Sequence, residues 1–138
     1  MDKRLFLLLN MAQHRLFRFM NSESERRLGI SVTHVAALLF IAKNEGCRQK
    51  ELAKELGLNK PAITGLANRM EKQGLINRKP CKQDGRATRI YLSDRSGNIL
   101  PSVGPLIEEM NTKLASEFSE EEIEVVVRFL KSVKDTFK

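Results

Sequence analysis

The segment of residues 49–76 constrains the fold more than any other, because its chain-breaking residues stand at revealing intervals. Gly57 ends a run with helical apolar spacing, since the residue after a helix often needs the positive φ that glycine adopts cheaply. Asn59 follows as a good N-cap, and Pro61 falls in the first turn of the next helix, where its missing N–H costs nothing. Two short helices joined by a tight turn are therefore predicted, which is a helix-turn-helix.

The second of these helices, residues 60–73, is predicted to have one buried face and one polar face. Helical spacing places Ile63, Leu66, Ala67 and Met70 toward the core. The other face carries polar and basic side chains, namely Lys60, Thr64, Asn68, Arg69 and Lys72. A capped second helix with a polar outer face is typical of a helix that lies in the major groove of DNA. An ordinary helical hairpin whose polar face is merely solvated stays open as an alternative.

Two strand-like runs follow at once. Residues 75–79 and 87–92 have strand character, and the polar loop between them contains the turn signal Asp84-Gly85. A purely structural ribbon would need no basic tip, yet this one is rich in cations, namely Lys79, Lys82, Arg86 and Arg89. A helix-turn-helix followed directly by a basic hairpin is a winged helix. A short strand at Cys47-Arg48 is predicted to pair with that hairpin.

The positive charge of the chain is concentrated in this part. The formal net charge is +7. Residues 47–95 hold twelve Lys/Arg and five Asp/Glu, a net of +7, whereas the preceding residues carry +3 and the following ones −3. A positive patch on one compact unit is the electrostatic footprint of a protein that binds the phosphate backbone. A solvated basic face without a partner is the alternative.

Length and composition exclude several other classes of protein. The 138 residues fit one domain, with residues 30–95 as the winged helix-turn-helix. We expect no membrane span and no secretory leader, and the two cysteines form no disulfide framework, which favours the cytoplasm. His14 and His34 are too few and too far apart in sequence to indicate a metal site. We find no phosphate loop and no nucleophile–base pair, so no enzyme activity and no cofactor are expected.

The two ends of the chain are predicted to be apolar helices. Residues 3–20 form the first, with residues 21–28 as a loop or frayed end, and Ser31 or Thr33 caps the next helix. Ser93 caps a later helix. Pro101 and Pro105 interrupt that helix, so we expect a kink or a start near Val103, with continuation to Phe118. Ser119 opens the last helix as a capping box. Residues 1–20 and 103–138 are interpreted as dimerisation helices, with an intramolecular three-helix core as the alternative.

The order of these elements resembles the MarR family of bacterial transcriptional regulators, and within it the SlyA-like branch. Residues 50–97 carry the resemblance strongly, and the terminal helices carry it only by pattern. The most specific piece is Asp84-Gly85-Arg86, which matches the Asp-x-Arg of the family's wing. The implied fold is mainly α with a small antiparallel β-wing, in which the winged helix-turn-helix is flanked by N- and C-terminal dimerisation helices.

The resemblance also implies roles for individual residues. Arg86 would enter the minor groove, and Asp84 would orient it through a salt bridge. The residues that match the recognition-helix face are Lys60, Pro61, Ala62, Thr64, Asn68 and Arg69. Gly65 departs from the family, which often has arginine there. Because glycine costs a helix roughly 1 kcal/mol relative to alanine, close approach of DNA or of another helix is expected at that position.

The expected function is sequence-specific binding of double-stranded DNA by a homodimeric transcriptional regulator, a repressor on a palindromic operator. The family implies that a small-molecule effector or an oxidation switch often accompanies this activity, but no residues for it map here. Cys81, beside the basic wing, is the candidate for oxidation, although an unreactive small side chain is favoured. The alternative function is a winged-helix module that docks an acidic protein and binds no DNA.

Overall fold

The computed structural model describes residues 2–81, 83 and 88–137. Within them lie seven α-helices and three β-strands: α1 Leu5–Leu28, α2 Val32–Lys43, β1 Cys47–Arg48, α3 Gln49–Leu56, α4 Lys60–Lys72, β2 Ile76–Pro80, β3 Thr88–Leu92, α5 Asp94–Ile99, α6 Val103–Ala115 and α7 Glu120–Thr136. The predicted fold class, mainly helical with a small antiparallel sheet, is confirmed.

The chain divides into two compact units, Met1–Val103 and Gly104–Lys138. The first unit has an apolar core drawn from α2, α3, α4 and the sheet. Its fully buried members include Leu38, Ile41, Leu52, Met70, Leu75, Ile76 and Ile90. The four apolar residues that helical spacing assigned to the inner face of α4 are all buried, as predicted.

The sheet has the strand order β1-β3-β2, and both pairings are antiparallel. Cys47 pairs with Ile90, which confirms the predicted strand before the helix-turn-helix. β2 and β3 pair through five positions, from Ile76 with Leu92 to Pro80 with Thr88. The strand containing Pro80 is at the edge of the sheet, where its lack of an N–H is tolerated.

The end of β3 is tied to the end of α4. Ser93 Oγ donates to the Gly74 carbonyl over 2.6 Å, and the Arg95 guanidinium donates to the Gln73 carbonyl. Ser93 also caps α5, as predicted, by accepting the Ser96 N–H. Carbonyls at the end of a helix lack intrahelical partners. The donors from Ser93 and Arg95 satisfy two such carbonyls and so hold the carboxyl end of α4 to the chain that follows β3.

α1 is longer than predicted, because residues 21–28 are helical and not a loop. Two polar side chains in this stretch bond to the chain that leads into α2. Asn21 Oδ1 accepts the Val32 N–H over 2.9 Å, and the buried Ser24 Oγ donates to the Ile30 carbonyl over 2.7 Å. Gly29, with φ of 76°, then ends the helix. A polar run that looked like loop is thus helical because its side chains have specific partners.

The helix boundaries in and around the helix-turn-helix follow the predicted signals. Ser31, and not Thr33, caps α2 by accepting the His34 N–H. Gly57 ends α3 with φ of 67°, and Asn59 Oδ1 accepts the Ala62 N–H over 2.9 Å at the start of α4. The glycine here needs its conformational freedom, because a positive φ strains other residues.

The second unit contains most of α6, followed by α7. Of the two predicted outcomes near Pro101 and Pro105, the structure shows the later start: a 3₁₀ turn at Leu100–Ser102 precedes α6, which begins at Val103. α6 ends at Ala115, so Phe118 lies outside it, contrary to the prediction. Ser119 makes the predicted capping box with Glu122 at the start of α7. Several apolar side chains of this unit are exposed, among them Leu114, Phe118, Val126 and Leu130.

Candidate nucleic-acid interface

The outward side of α4 gathers the residues predicted to read DNA. Opposite its buried stripe, α4 exposes a continuous set of side chains: Lys60, Pro61, Ala62, Thr64, Asn68 and Arg69. Lys60, Thr64 and Asn68 are four residues apart, and this spacing places neighbouring side chains on one helix face. The structure therefore brings these six predicted residues together on one solvent-facing helix and does not scatter them.

Gly65 lies near the middle of this outward side and is half-buried. A Cβ added to it would stand 3.2 Å from Nη1 of Arg69, the flexible end of a neighbouring side chain. Among the described residues, no other element comes within 4 Å of that position. Packing against a second helix, one of the two predicted reasons for glycine here, is thus not what the structure shows. Close approach of DNA stays a prediction.

A hydrogen-bonded network that the sequence analysis did not predict runs beneath the outward side of α4. Nη2 of Arg78, on β2, donates to Oδ1 of Asn68 and to Oε1 of Glu71, each over 2.8 Å. Nη1 of Arg78 makes a longer contact of 3.5 Å with Oε1 of Gln49, and Nε2 of Gln49 donates to Oγ1 of Thr64 over 3.2 Å. Two of the predicted base readers, Thr64 and Asn68, are therefore held by side chains from α3 and β2.

The charge of Arg78 is compensated within this network. Its hydrogen bond to Glu71 lowers the pKa of the Glu71 carboxyl and raises the pKa of Arg78. The Arg78 side chain is only 21% exposed. A signal for its position existed in the sequence: Ile76 is a buried strand residue, and the two-residue period of a strand puts Arg78 on the same side, toward α4.

A basic groove between α3 and α4 adds further cations that the sequence analysis did not select. The groove is open, has a volume of about 580 Å³, and is lined in part by Lys50, Lys54 and Lys60. In a helix-turn-helix the first helix crosses the DNA backbone, where ammonium groups meet phosphates. Lys50 and Lys54 were detectable from sequence as two basic residues four apart on the predicted first helix.

Arg89 has protein partners in the sheet. Its Nη1 donates to the Gly46 carbonyl over 2.9 Å, and a hydrogen bond with Cys81 raises the pKa of the guanidinium. Arg89 thus links β3 to the turn before β1. Its predicted contact with DNA remains a prediction.

Both cysteines are buried. Cys81 is 6% exposed and Cys47 is 5% exposed. Burial, reinforced by the charge of Glu51, raises the pKa of the Cys47 thiol, which disfavours the reactive thiolate. Burial of Cys81 likewise limits access by an oxidant, although its environment includes the cation of Arg89.

The tip of the wing carries three further predicted site residues, Lys82, Asp84 and Arg86. They lie outside the described residues, together with Gly85 and Ala87. The structure describes the two strands that lead to and from the tip. Near the end of β2 that leads to this tip, the ammonium of Lys79 stands 5.2 Å from the centroid of the Tyr91 ring.

Within residues 2–81, 83 and 88–137, no group of His, Cys, Asp and Glu side chains is placed to hold a metal ion. In the same part of the chain, no helix combines the length and the apolar character that a membrane crossing requires. His34 is buried in α2, and burial, followed by the charge of Arg69, lowers the pKa of its imidazole.

Comparison with known proteins gives a family match and a shared fold. The model of the MarR family matches residues 28–87. The DNA complex of MepR from S. aureus superposes with a TM-score of 0.89 at 23% identity, covering 99% of this chain and all of that one. The regulator SlyA superposes with a TM-score of 0.84 at 19% identity, and the match covers 96% of this chain and 92% of SlyA. PcaV from Streptomyces coelicolor, in complex with its natural ligand, superposes with a TM-score of 0.79 at 23% identity. That match covers 97% of this chain and 92% of PcaV.

Proposed function

We propose that this chain is a member of the MarR family and a transcriptional regulator that binds double-stranded DNA sequence-specifically, because the model of that family matches residues 28–87. The family match leaves the hypothesis of an enzyme without support. MepR, which shares the fold, was solved bound to DNA. A regulator that binds the chromosome would act in the cytoplasm.

One observation carries this proposal: α4 combines a fully buried apolar stripe with an outward side of exposed Lys60, Thr64, Asn68 and Arg69. The buried stripe fixes the helix rigidly to the core, and the exposed side offers hydrogen-bond donors and cations at the spacing of one helix face. Phosphate contacts from the lysines would set position and orientation, and Thr64 and Asn68 would inspect base edges.

The wing is proposed to add a second point of contact. We assign Arg86 to the minor groove, Asp84 to its orientation, and Lys82 and Arg89 to the neighbouring phosphates. This assignment rests on the Asp-x-Arg pattern of the family and on the paired strands that lead to the tip. Pro61, Ala62 and Gly65 complete the proposed interface, because small side chains on α4 allow its backbone to come close to the DNA.

The active species is proposed to be a homodimer, which acts as a repressor on a palindromic operator. Both units expose large apolar side chains that neighbour one another on a helix, and an exposed apolar surface of this kind often marks an interaction site. In α1 the exposed residues include Leu5, Phe6, Leu7, Leu8 and Met11, and in α7 they include Val125, Val126, Val127 and Leu130. A second copy of the chain would cover these surfaces. Two winged helix-turn-helix parts held one turn of DNA apart would bind a palindrome far more tightly than one of them alone.

A small-molecule effector is also proposed, with its chemistry left open. PcaV, which shares the fold, was solved in complex with its natural ligand. In this chain, a ligand that binds the DNA-free form better than the DNA-bound form would lower affinity for the operator by linkage.

Selection of bound duplexes from a random pool tests the proposal directly. We expect an enriched palindrome whose half-sites are about 10 base pairs apart. A protein-docking module would enrich no sequence and would bind no duplex in a gel-shift titration at low salt. Either of those results would refute the proposed function.

A further inference from the structure

The polarity of the Asn68 amide is set by Arg78. Arginine carries only hydrogen-bond donors, so the atom of Asn68 that faces it must be the amide oxygen. Nη2 of Arg78 has two hydrogens and uses them on Oδ1 of Asn68 and on Oε1 of Glu71, each over 2.8 Å. The NH₂ group of Asn68 is therefore the part of the amide left to face outward.

The same donor-only rule extends to Thr64. Oε1 of Gln49 faces Arg78, so Nε2 of Gln49 faces Thr64 and donates to its Oγ1 over 3.2 Å. The hydroxyl of Thr64 then has its hydrogen left to donate. Together with the ammonium of Lys60, the outward side of α4 presents mainly donors.

An asparagine whose amide oxygen already accepts from a protein donor distinguishes base edges differently from an asparagine whose whole amide is available. A free asparagine binds adenine in two ways at once, because its oxygen accepts from N6 while its NH₂ donates to N7. Guanine offers two acceptors in the major groove, O6 and N7, which an NH₂ group alone can satisfy. Occupation of Oδ1 by Arg78 weakens the first arrangement and leaves the second intact.

We propose that Arg78, anchored by Glu71, is a specificity-determining residue: it holds the Asn68 amide as a donor and so favours guanine over adenine at the base pair that Asn68 faces. This inference rests on the proposed function, since it concerns which base the same interface selects. Arg78 is a positioning residue here and touches no base itself.

The test begins with the operator selected by the wild-type protein. Competition binding with duplexes that carry each of the four base pairs identifies the position at which Asn68→Ala loses its preference. We expect guanine to be preferred over adenine there. Arg78→Met keeps an unbranched side chain without donors, and it should shift the guanine-to-adenine ratio toward adenine by about tenfold.

Lys79→Met is the matched control, because it removes one charge from the next residue of the same strand. Lys79 lies over the Tyr91 ring and outside the network. This variant should lower affinity for all duplexes alike and leave the ratio unchanged. In the Asn68→Ala background, Arg78→Met should no longer alter the ratio, because the amide that it controls is gone.

The possible results separate the inference from the function. Wild-type protein that binds no duplex overturns the proposed function. Sequence-specific binding with an unchanged ratio in Arg78→Met overturns the inference alone, as does a shift that persists without Asn68, since Arg78 would then contact the base directly. If Arg78→Met does not fold, the wild-type protein still decides the question: a preference for adenine over guanine at the base pair located with Asn68→Ala overturns the inference.

Discussion

Gly65→Ala should make the protein more stable and a weaker DNA binder at the same time. The added Cβ meets only the movable guanidinium of Arg69, at 3.2 Å, so the helix gains alanine's propensity with little steric cost. That gain is about 1 kcal/mol, which for 138 residues corresponds to a rise in Tm of about 3 °C. Forcing one carbon into a close contact with DNA costs about 1–3 kcal/mol, or roughly a 5- to 150-fold rise in Kd.

Gly97→Ala is the matched control, because Gly97 is also helical and a Cβ there would meet nothing within 4 Å. Both variants should raise Tm in thermal melts at one fixed protein concentration, which matters because an oligomer's Tm depends on concentration. Fluorescence anisotropy with the selected operator should show weaker binding for Gly65→Ala alone. Equal affinities for wild type and Gly65→Ala would refute the reasoning that DNA closely approaches this backbone.

Four further predictions concern charge, assembly and stability. Operator affinity should fall with salt concentration, and a plot of the logarithm of the binding constant against that of the salt concentration should have a slope of about −0.9 per phosphate contacted. Lys54→Ala should make that slope shallower by the amount expected for about one contact. A salt-independent affinity in the titration contradicts the phosphate contacts. Leu8→Asp or Leu130→Asp should dissociate the proposed dimer in sedimentation velocity and weaken operator binding, whereas the exposed polar control Gln13→Asp should leave the dimer intact. A wild-type protein that sediments as a monomer would refute the proposed dimer. Asn59→Ala should destabilise the protein by about 1 kcal/mol in urea unfolding, and Asn59→Gly by only a few tenths, because the cap on the Ala62 N–H is lost; equal stability of wild type and Asn59→Ala would show that the cap contributes nothing. The lowered pKa of Glu71 means that its pair with Arg78 adds stability above the ordinary carboxyl pKa and loses it as pH falls through the folded-state pKa; the difference in unfolding free energy between wild type and Glu71→Gln should therefore vanish in acid, and a difference that grows there would reverse the sign.

Local signals sufficed for the elements whose boundaries depend on one side chain or one φ angle. Gly57, Asn59, Ser93 and Ser119 each mark a helix end through a bond or a backbone conformation that lies within a few residues. The residues facing outward from α4 followed from the 3.6-residue period in the same way. These features are local, so a single sequence contains them.

Features that depend on distant partners were missed. The helical residues 21–28 are joined to the chain before α2 by the bonds between Asn21 and Val32 and between Ser24 and Ile30, which lie beyond the reach of helical periodicity. The Arg78 network joins α3, α4 and β2 over separations of up to 29 residues. Strand period could indicate the side on which Arg78 lies, but its partners depend on how the sheet packs beside the helix.

The bonds from Ser93 and Arg95 to the last carbonyls around α4 have a consequence for how this protein can diversify. The loop between β2 and β3 connects two strands whose register is fixed by five residue pairs. Just after β3, hydrogen bonds hold the chain to the carboxyl end of α4. Residues can therefore be exchanged, added or removed in the loop while α4 keeps its orientation. The minor-groove contacts proposed for the wing and the major-groove contacts proposed for α4 could then change one at a time.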